Sequence, residues 1–527
     1  MRSFSISLFG TLLCVSFSVS LGLAPAALAD VHLPAIESDN MVLQAGAGPQ
    51  LYGSAAPGED IAIKYGHRQA STKTDNFGQW RVRLPHLKAG EKFDIEIKGK
   101  NTLDIKNVLV GEVWLCSGQS NMEFPLARAN DHAKEIAQAN HDQLRLFKVE
   151  RRLATAPAAD VQGSWKVCNP AAAADFSAVG YFFGRALSQD LKTPVGLIES
   201  SWGGTPAQVW TSLDGLEADP VTQKRYWVMA KEHLAKLHQM SETYDKEMAD
   251  WKLSADKIAA EKSQLPAPPA KPSELEFPHA PSMLYNAMIA PLTAYTIGGV
   301  IWYQGESNAN AADETMAYRH LFPALINDWR QKFGLPKLPF LYVQLANYEK
   351  REDANVRSPW AELREAQLLT LKVPNTGMAV AVDIGDEKDI HPKNKLDVGL
   401  RLERIALAEV YGRKVAFSGP IFSGMTVKGN QAICTFKYTD HGLKAKGGKL
   451  VGFTICGADK KFVAADAEIV GNTVHVSSAS VALPTAVRYA WAGDPLNNLY
   501  NGADFPASPF RSDVTPEPAV VDLPVTK

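Results

Sequence analysis

The sequence is short of cysteine, of net charge and of long apolar runs. Five cysteines occur in 527 residues. Cys14 lies in an N-terminal apolar stretch, which leaves Cys116, Cys168, Cys434 and Cys456 for the folded chain. There is no Cys-x-x-Cys and no His-x-x-x-His. The ligand spacings of a zinc site are therefore missing, and no metal or other cofactor is expected. A chain of this length folds without disulfides; Cys434–Cys456, within the C-terminal region, is the one pairing expected. The formal net charge of -2 offers no attraction to nucleic acid or to an anionic membrane. Beyond residue 29 no run is long and apolar enough to span a bilayer.

What is present begins with a processing segment. Arg2 precedes an apolar stretch over residues 8–23, followed by Ala27-Leu28-Ala29. That order predicts a secretory signal cleaved before Asp30, hence a secreted or periplasmic protein with no membrane attachment once the signal is removed. A retained anchor is the alternative. The remainder is ordinary globular composition, 46% hydrophobic and 21% charged, with length for about three domains.

Residues 30–107 alternate. Ile61, Ile63 and Tyr65 form one period-2 set, Trp80, Val82 and Leu84 a second, and Phe93, Ile95 and Ile97 a third. This predicts a small antiparallel β domain of sandwich type. Residues 108–412 instead alternate short apolar strands with helical spacings. That pattern predicts an α/β fold, a parallel sheet with helices on both faces. Strands are expected at 108–115, 195–198, 297–303, 340–345 and 378–382. Polar clusters follow several of them, at 117–121, 200–205, 304–308 and 383–391. Sites in such sheets lie beyond the carboxyl ends of the strands, so these clusters are expected to converge. An insertion at 216–280 carries a heptad seam of Trp227, Ala230, Leu234, Leu237, Ser241, Tyr244, Met248 and Trp251. It predicts one long amphipathic helix that packs on the body, covers the site or joins two chains as a homodimer. Residues 413–527 return to alternation and predict a second β domain, with a Pro- and Val-rich tail from 516.

The stretch that organises the chain is 108–122. An apolar run turns sharply through Ser117, Gly118 and Gln119 and delivers Ser120 at the end of a rigid strand. Alone, such a serine is a polar turn. Beside free backbone N–H groups it is the arrangement of a nucleophile with its oxyanion donors. The context lacks the second glycine of Gly-x-Ser-x-Gly, which argues against the α/β-hydrolase elbow. A base is needed, and His391 is set apart by its place in the polar loop 383–391 before Pro392. The expected helix start there would keep its imidazole neutral. Asp383, Asp386, Glu387 and Asp389 are near enough to orient the ring, and Glu306 in the 304–308 cluster is a further choice. Oxyanion donors are sought in the Ser120 N–H, in Gly203 or Gly204, and in the amide of Gln304 or Asn308. Glu306 paired with an Asp would also suit a glycosidase, which has no need of the serine, glycine and amide set.

These blocks resemble a known family. Gly118-Gln119-Ser120-Asn121-Met122-Glu123, Trp202-Gly203-Gly204-Thr205, Trp302 to Ala309 and Asp389-Ile390-His391-Pro392 are similar to successive blocks of the sialate O-acetylesterases, SGNH hydrolases related to some acetylxylan esterases. Similarity extends to residues 33–44, 281–286 and 487–511, nearly the whole mature chain. The resemblance implies an SGNH-type, flavodoxin-like sheet and a serine esterase that removes O-acetyl groups from carbohydrate without metal. It implies Ser120 as nucleophile and His391 as base, with a glycine (203 or 204) and an amide (Gln304 or Asn308) at the oxyanion. One departure is plain. Many SGNH enzymes carry an acid three residues before the histidine, and here that residue is Lys388. The third member therefore stays open among Asp389, Asp386 and Glu306.

The expectation is an esterase acting on a small or polymeric glycan that carries O-acetyl groups, sialic acids foremost. An acetylxylan or other polysaccharide deacetylase is the alternative of the same class. A non-catalytic carbohydrate-binding protein is the alternative of another.

Overall fold

The computed structural model describes residues 30–46, 48–260, 267–278 and 280–513. The expected signal and the tail from 516 lie outside them. Seven strands form the central sheet: β1 (Thr102–Gly118), β2 (His141–Lys148), β3 (Trp165–Cys168), β4 (Val195–Ser201), β5 (Gly299–Tyr303), β6 (Phe340–Gln344) and β7 (Thr376–Val380). Their order is β7-β6-β5-β1-β4-β2-β3. All neighbours run parallel except the edge pair β2 and β3. Strands β4, β5 and β6 are buried along their whole length. That is why they read as unbroken apolar runs rather than alternations.

Helices cover both faces, as the expected α/β fold requires. Six of the helices are α1 (Ser120–Glu123), α2 (Ala178–Leu191), α3 (Val228–Ala260), α4 (Ala312–Lys332), α5 (Pro359–Leu369) and α6 (Lys395–Ile405). On one face α2 packs on α6, and the Trp114 ring of β1 meets Phe183 of α2 edge-on at 5.0 Å. Gly399 makes that helix pair possible, because a Cβ there would lie 2.6 Å from the Cβ of Phe182. On the other face α4 packs on α5, and Trp302 of β5 lies against Phe322 and Trp329 of α4, at 6.2 and 5.7 Å.

β1 does two jobs. Its first half pairs with Lys92–Lys98 and Val42–Gln44 of the N-terminal sheet. Its second half, from Glu112, pairs with β4 and, from Trp114, with β5. The expected boundary at 107/108 thus falls inside one 17-residue strand. What changes there is burial, from one face to both.

The insertion forms one helix, α3, entered through the π-helical turn Gln223–Trp227. Ala230, Leu234 and Leu237 of the seam are buried, while Ser241, Tyr244, Met248 and Trp251 are only half-buried. Leu234 and Leu237 pack on Leu275, Ala280 and Met283. Among the described residues no helix is long and apolar enough to cross a membrane.

The C-terminal region holds two four-stranded antiparallel sheets around their own core, which includes Val474, Val476, Val487 and Phe510. Arg364 of α5 bolts this region to the central sheet. Fully buried, it donates to the carbonyls of Leu345, Ala346, Ala492 and Gly493 at 2.7–2.8 Å. The expected Cys434–Cys456 disulfide is absent: Cys116, Cys168, Cys434 and Cys456 are all free and buried. Cys434 lies in the strand Gln431–Lys437 and Cys456 in Phe453–Cys456, in different sheets and different apolar clusters. Burial pushes the Cys434 thiol up to about 12.

Candidate active site

The site begins where β1 runs out. The connection from β1 leaves toward β2 and the one from β4 returns past β1 to β5, in opposite directions, so a crevice opens at the carboxyl end of β1. Gly118 closes the strand at φ +135, and a Cβ there would lie 2.2 Å from the Tyr303 carbonyl oxygen. Only glycine lets the chain turn this tightly under β5. The Gln119 N–H donates to that carbonyl at 3.0 Å. Its side-chain oxygen accepts the N–H groups of Gly305 and Ser307 at 3.4 and 3.2 Å. Ser120 then opens the short helix α1, so its own N–H has no partner within that helix.

The loop after β7 crosses back to this point. The Nε2 of His391 lies 2.8 Å from the Ser120 Oγ, although the two residues are 271 positions apart. The expected helix start at Pro392 is displaced. Helix α6 begins at Lys395, with Asn394 as its cap accepting the Asp397 N–H at 3.2 Å. His391 is therefore not at a helix N-terminus, and its neutrality has another cause. Burial first, then the charges of Lys395 and Arg128, hold its pKa below the ordinary 6.5, while Asp389 pulls the other way.

The acidic residues separate by geometry. Asp389 has an oxygen 3.8 Å from the His391 Nδ1, and the same oxygen accepts the His391 backbone N–H at 2.9 Å. Asp386 accepts the Lys388 N–H at an exposed turn. Asp383 is bound by Arg401 through two bonds of 2.6 and 2.7 Å and by the Tyr500 hydroxyl. Glu306 is not at the imidazole. Its Oε1 accepts from the Asn121 Nδ2 at 2.5 Å, its Oε2 is buried without a partner among the described residues, and burial raises its pKa.

The expected oxyanion donors also separate. Gly203 stands beside the nucleophile, since a Cβ there would lie 3.1 Å from the Ser120 Cβ. Its N–H, however, donates to Glu123 at 2.9 Å. The Gly204 N–H has no partner among the described residues. Gln304 and Asn308 are fully buried and point their amides elsewhere. Gln304 donates to Asn308 at 2.8 Å and to the Thr205 carbonyl at 3.3 Å. Asn308 donates to Gln208 at 3.0 Å and Glu314 at 3.3 Å. These two residues brace the 205–208 loop instead of standing free at the serine. Physical burial explains the difference, because an amide at zero exposure must bond within the protein.

Five residues escaped the reading from sequence. Glu123 pairs with Arg151, whose guanidinium lies 5.3 Å from the Trp202 ring. Asn121 and Lys395 form a buried pair at 2.5 Å behind the serine. Asn121 adjoins Ser120 and was open to suspicion; a lysine four places after His391 carries no signal of its own. From the insertion, Phe277 meets Trp202 edge-on at 6.4 Å and forms one wall of the rim.

Comparison with known proteins shows the family. Residues 273–407 match a family model described as carbohydrate esterase, sialic acid-specific acetylesterase. A curated relative from Rattus norvegicus, sialate O-acetylesterase, is 31% identical over 83% of this chain and 84% of its own. The chain belongs to the sialate O-acetylesterase family. Within that family the Homo sapiens sialate O-acetylesterase is 30% identical over 91% of this chain and 92% of its own. The crystal structure of a carbohydrate acetylesterase from Xanthomonas citri is 38% identical, covers 92% of this chain and all of its own, and superposes with a TM-score of 0.78. The chain is a carboxylic ester hydrolase of the carbohydrate acetylesterase type, with the SGNH-type fold.

Proposed function

We propose that the protein is a serine esterase that removes O-acetyl groups from sialic acids. The observation that carries the mechanism is the 2.8 Å contact between the His391 Nε2 and the Ser120 Oγ. His391 takes the serine proton as the Oγ attacks the acetyl carbonyl. The Ser120 N–H and the Gly204 N–H receive the oxyanion, with Gly203 joining them if Glu123 moves aside. The tetrahedral intermediate collapses, the imidazolium gives its proton to the departing sugar oxygen, and an acetyl-enzyme remains. Water, deprotonated by His391, then releases acetate and restores the serine. Asp389 is the carboxylate best placed to orient the imidazole and stabilise its charged form.

The sialate reading is supported by the description of the matched family and by the names of the curated relatives. A second reading, deacetylation of a polysaccharide such as xylan, draws on the structure that is 38% identical, called a carbohydrate acetylesterase. The signal-like N-terminus supports a secreted or periplasmic location. The test is acetate release from 4-nitrophenyl acetate by wild type and Ser120→Ala, both folded. A loss of about a hundredfold or more is expected for removal of a nucleophile. Equal rates would overturn the mechanism. Acetate release from O-acetyl sialic acid against acetylated xylan then separates the two substrate readings.

A further inference from the structure

We propose that Lys395, Asn121 and Glu306 form a buried positioning relay, in which Asn121 grips the carbonyl of Ile390 and thereby sets His391 against Ser120. The proposal rests on the serine-esterase reading above. Asn121 directly follows the nucleophile, and both polar atoms of its side chain are engaged. Its Oδ1 accepts from the Lys395 Nζ at 2.5 Å. Its Nδ2 donates to Glu306 at 2.5 Å and to the Ile390 carbonyl at 2.9 Å. One carboxamide thus joins helix α1, the 306–308 turn, helix α6 and the loop that ends at His391. The three side chains are 2%, 0% and 4% exposed for Asn121, Lys395 and Glu306.

The chemistry favours positioning over simple stability. Two buried ionisable groups are weak stabilisers, because desolvation offsets their attraction. Here the amide lies between the cation and the carboxylate. Lys395 polarises its oxygen and strengthens both N–H donors, the cooperative behaviour of a bonded chain in a low dielectric. Ile390 immediately precedes His391, so a fixed Ile390 carbonyl fixes the imidazole's origin. Lys395 also lies over the rings of Phe124 and Tyr303, 4.8 and 5.3 Å from their centres. Phe124 is in turn 6.4 Å from the His391 ring. The charged groups that bear on His391 are Lys395 and Arg128, which disfavour the imidazolium, and Asp389, which favours it. Glu306 does not bear on it directly. Burial pushes Lys395 down to about 7.

The test uses the full chain and two readouts, kinetics and pH. Asn121→Ala is expected to lower kcat by about tenfold to a hundredfold, the scale of a misplacement near 1 Å, with KM changed little. Lys395→Gln removes the charge and is expected to raise the pH of the acid limb of kcat/KM, because the imidazolium is no longer opposed. Lys395→Arg keeps the charge and leaves that limb in place. A structural role alone would lower activity at every pH without moving the limb. If Lys395→Gln does not fold, Lys395→Gln with Glu306→Gln, which leaves no charge buried alone, replaces it and shifts the limb the same way. Wild-type kcat in folded Asn121→Ala, or an unmoved limb in Lys395→Gln and its double variant, overturns the relay. Ser120→Ala separates the two failures: an inactive Ser120→Ala beside normal relay variants rejects only the relay, and an active one rejects the serine mechanism itself.

Discussion

Glu123 holds the backbone of Gly203: its Oε2 accepts the Gly203 N–H at 2.9 Å while its other oxygen takes the Arg151 guanidinium. The carboxylate sits one helical turn from Ser120 and ties an arginine to the wall of the site. Arg151 is half-exposed and lies beside Trp202, so it presents a solvent-reached cation at the wall of the site. Arg151→Ala is expected to lower kcat/KM for O-acetyl sialic acid by about tenfold, the worth of one charge-assisted hydrogen bond. Its effect on uncharged 4-nitrophenyl acetate should stay within about threefold, as for loss of an exposed ion pair. Equal losses on both esters would assign Arg151 to holding the Gly203 turn.

The His391 pKa lies below 6.5, and a base must be neutral to act. Activity should therefore persist as pH falls through 6.5 and decline only below the lowered pKa, with the decline read as the acid limb of kcat/KM. Asp389 pulls that pKa upward. Asp389→Asn should move the limb to still lower pH, opposite to Lys395→Gln, and lower kcat by about tenfold or more because the imidazolium loses its partner. A limb that moves upward would remove Asp389 from the site.

Arg364 binds four carbonyl oxygens, two from the end of β6 and two from the C-terminal region. Burial pushes its pKa down to about 9, yet it remains charged at neutral pH. Arg364→Ala leaves those oxygens buried and unpaired and should destabilise the protein by about 3–5 kcal/mol. Thermal unfolding checks this, and a change under about 1 kcal/mol would reject the clamp.

The four cysteines described are buried thiols. Ellman's reagent should find them unreactive in the native protein and should count all of them in denaturant without reductant. Loss of two from that count would restore a disulfide.

Much of the scaffold was legible because its causes are local. Continuous apolar runs at 195–198 and 340–345 mark strands buried on both faces, and the turn residues after 115 and 200 mark where they end. The heptad seam from Trp227 to Trp251 follows from side-chain spacing on one helix, and it yielded α3. Features shared between elements were harder to read from local spacing. The change of pattern at Val108 looked like a domain boundary, whereas β1 runs through it and changes only its burial. Pro392 looked like a helix start, but Asn394 caps α6 two residues later.

The sequence by itself determined the kinds of residue at the ends of the strands: a serine, a glycine pair, two amides and a histidine among carboxylates. Order along the chain and local periodicity were enough for that. Only tertiary structure decided which of them meet. It brought Ser120 and His391 within 2.8 Å, turned Glu306 toward Asn121, and engaged the amides of Gln304 and Asn308 elsewhere. It also set Lys395, unmarked in sequence, behind the pair. The physical reason is that a buried polar group takes its partner from whatever the fold packs against it, and these partners lie 99 to 274 positions away along the chain.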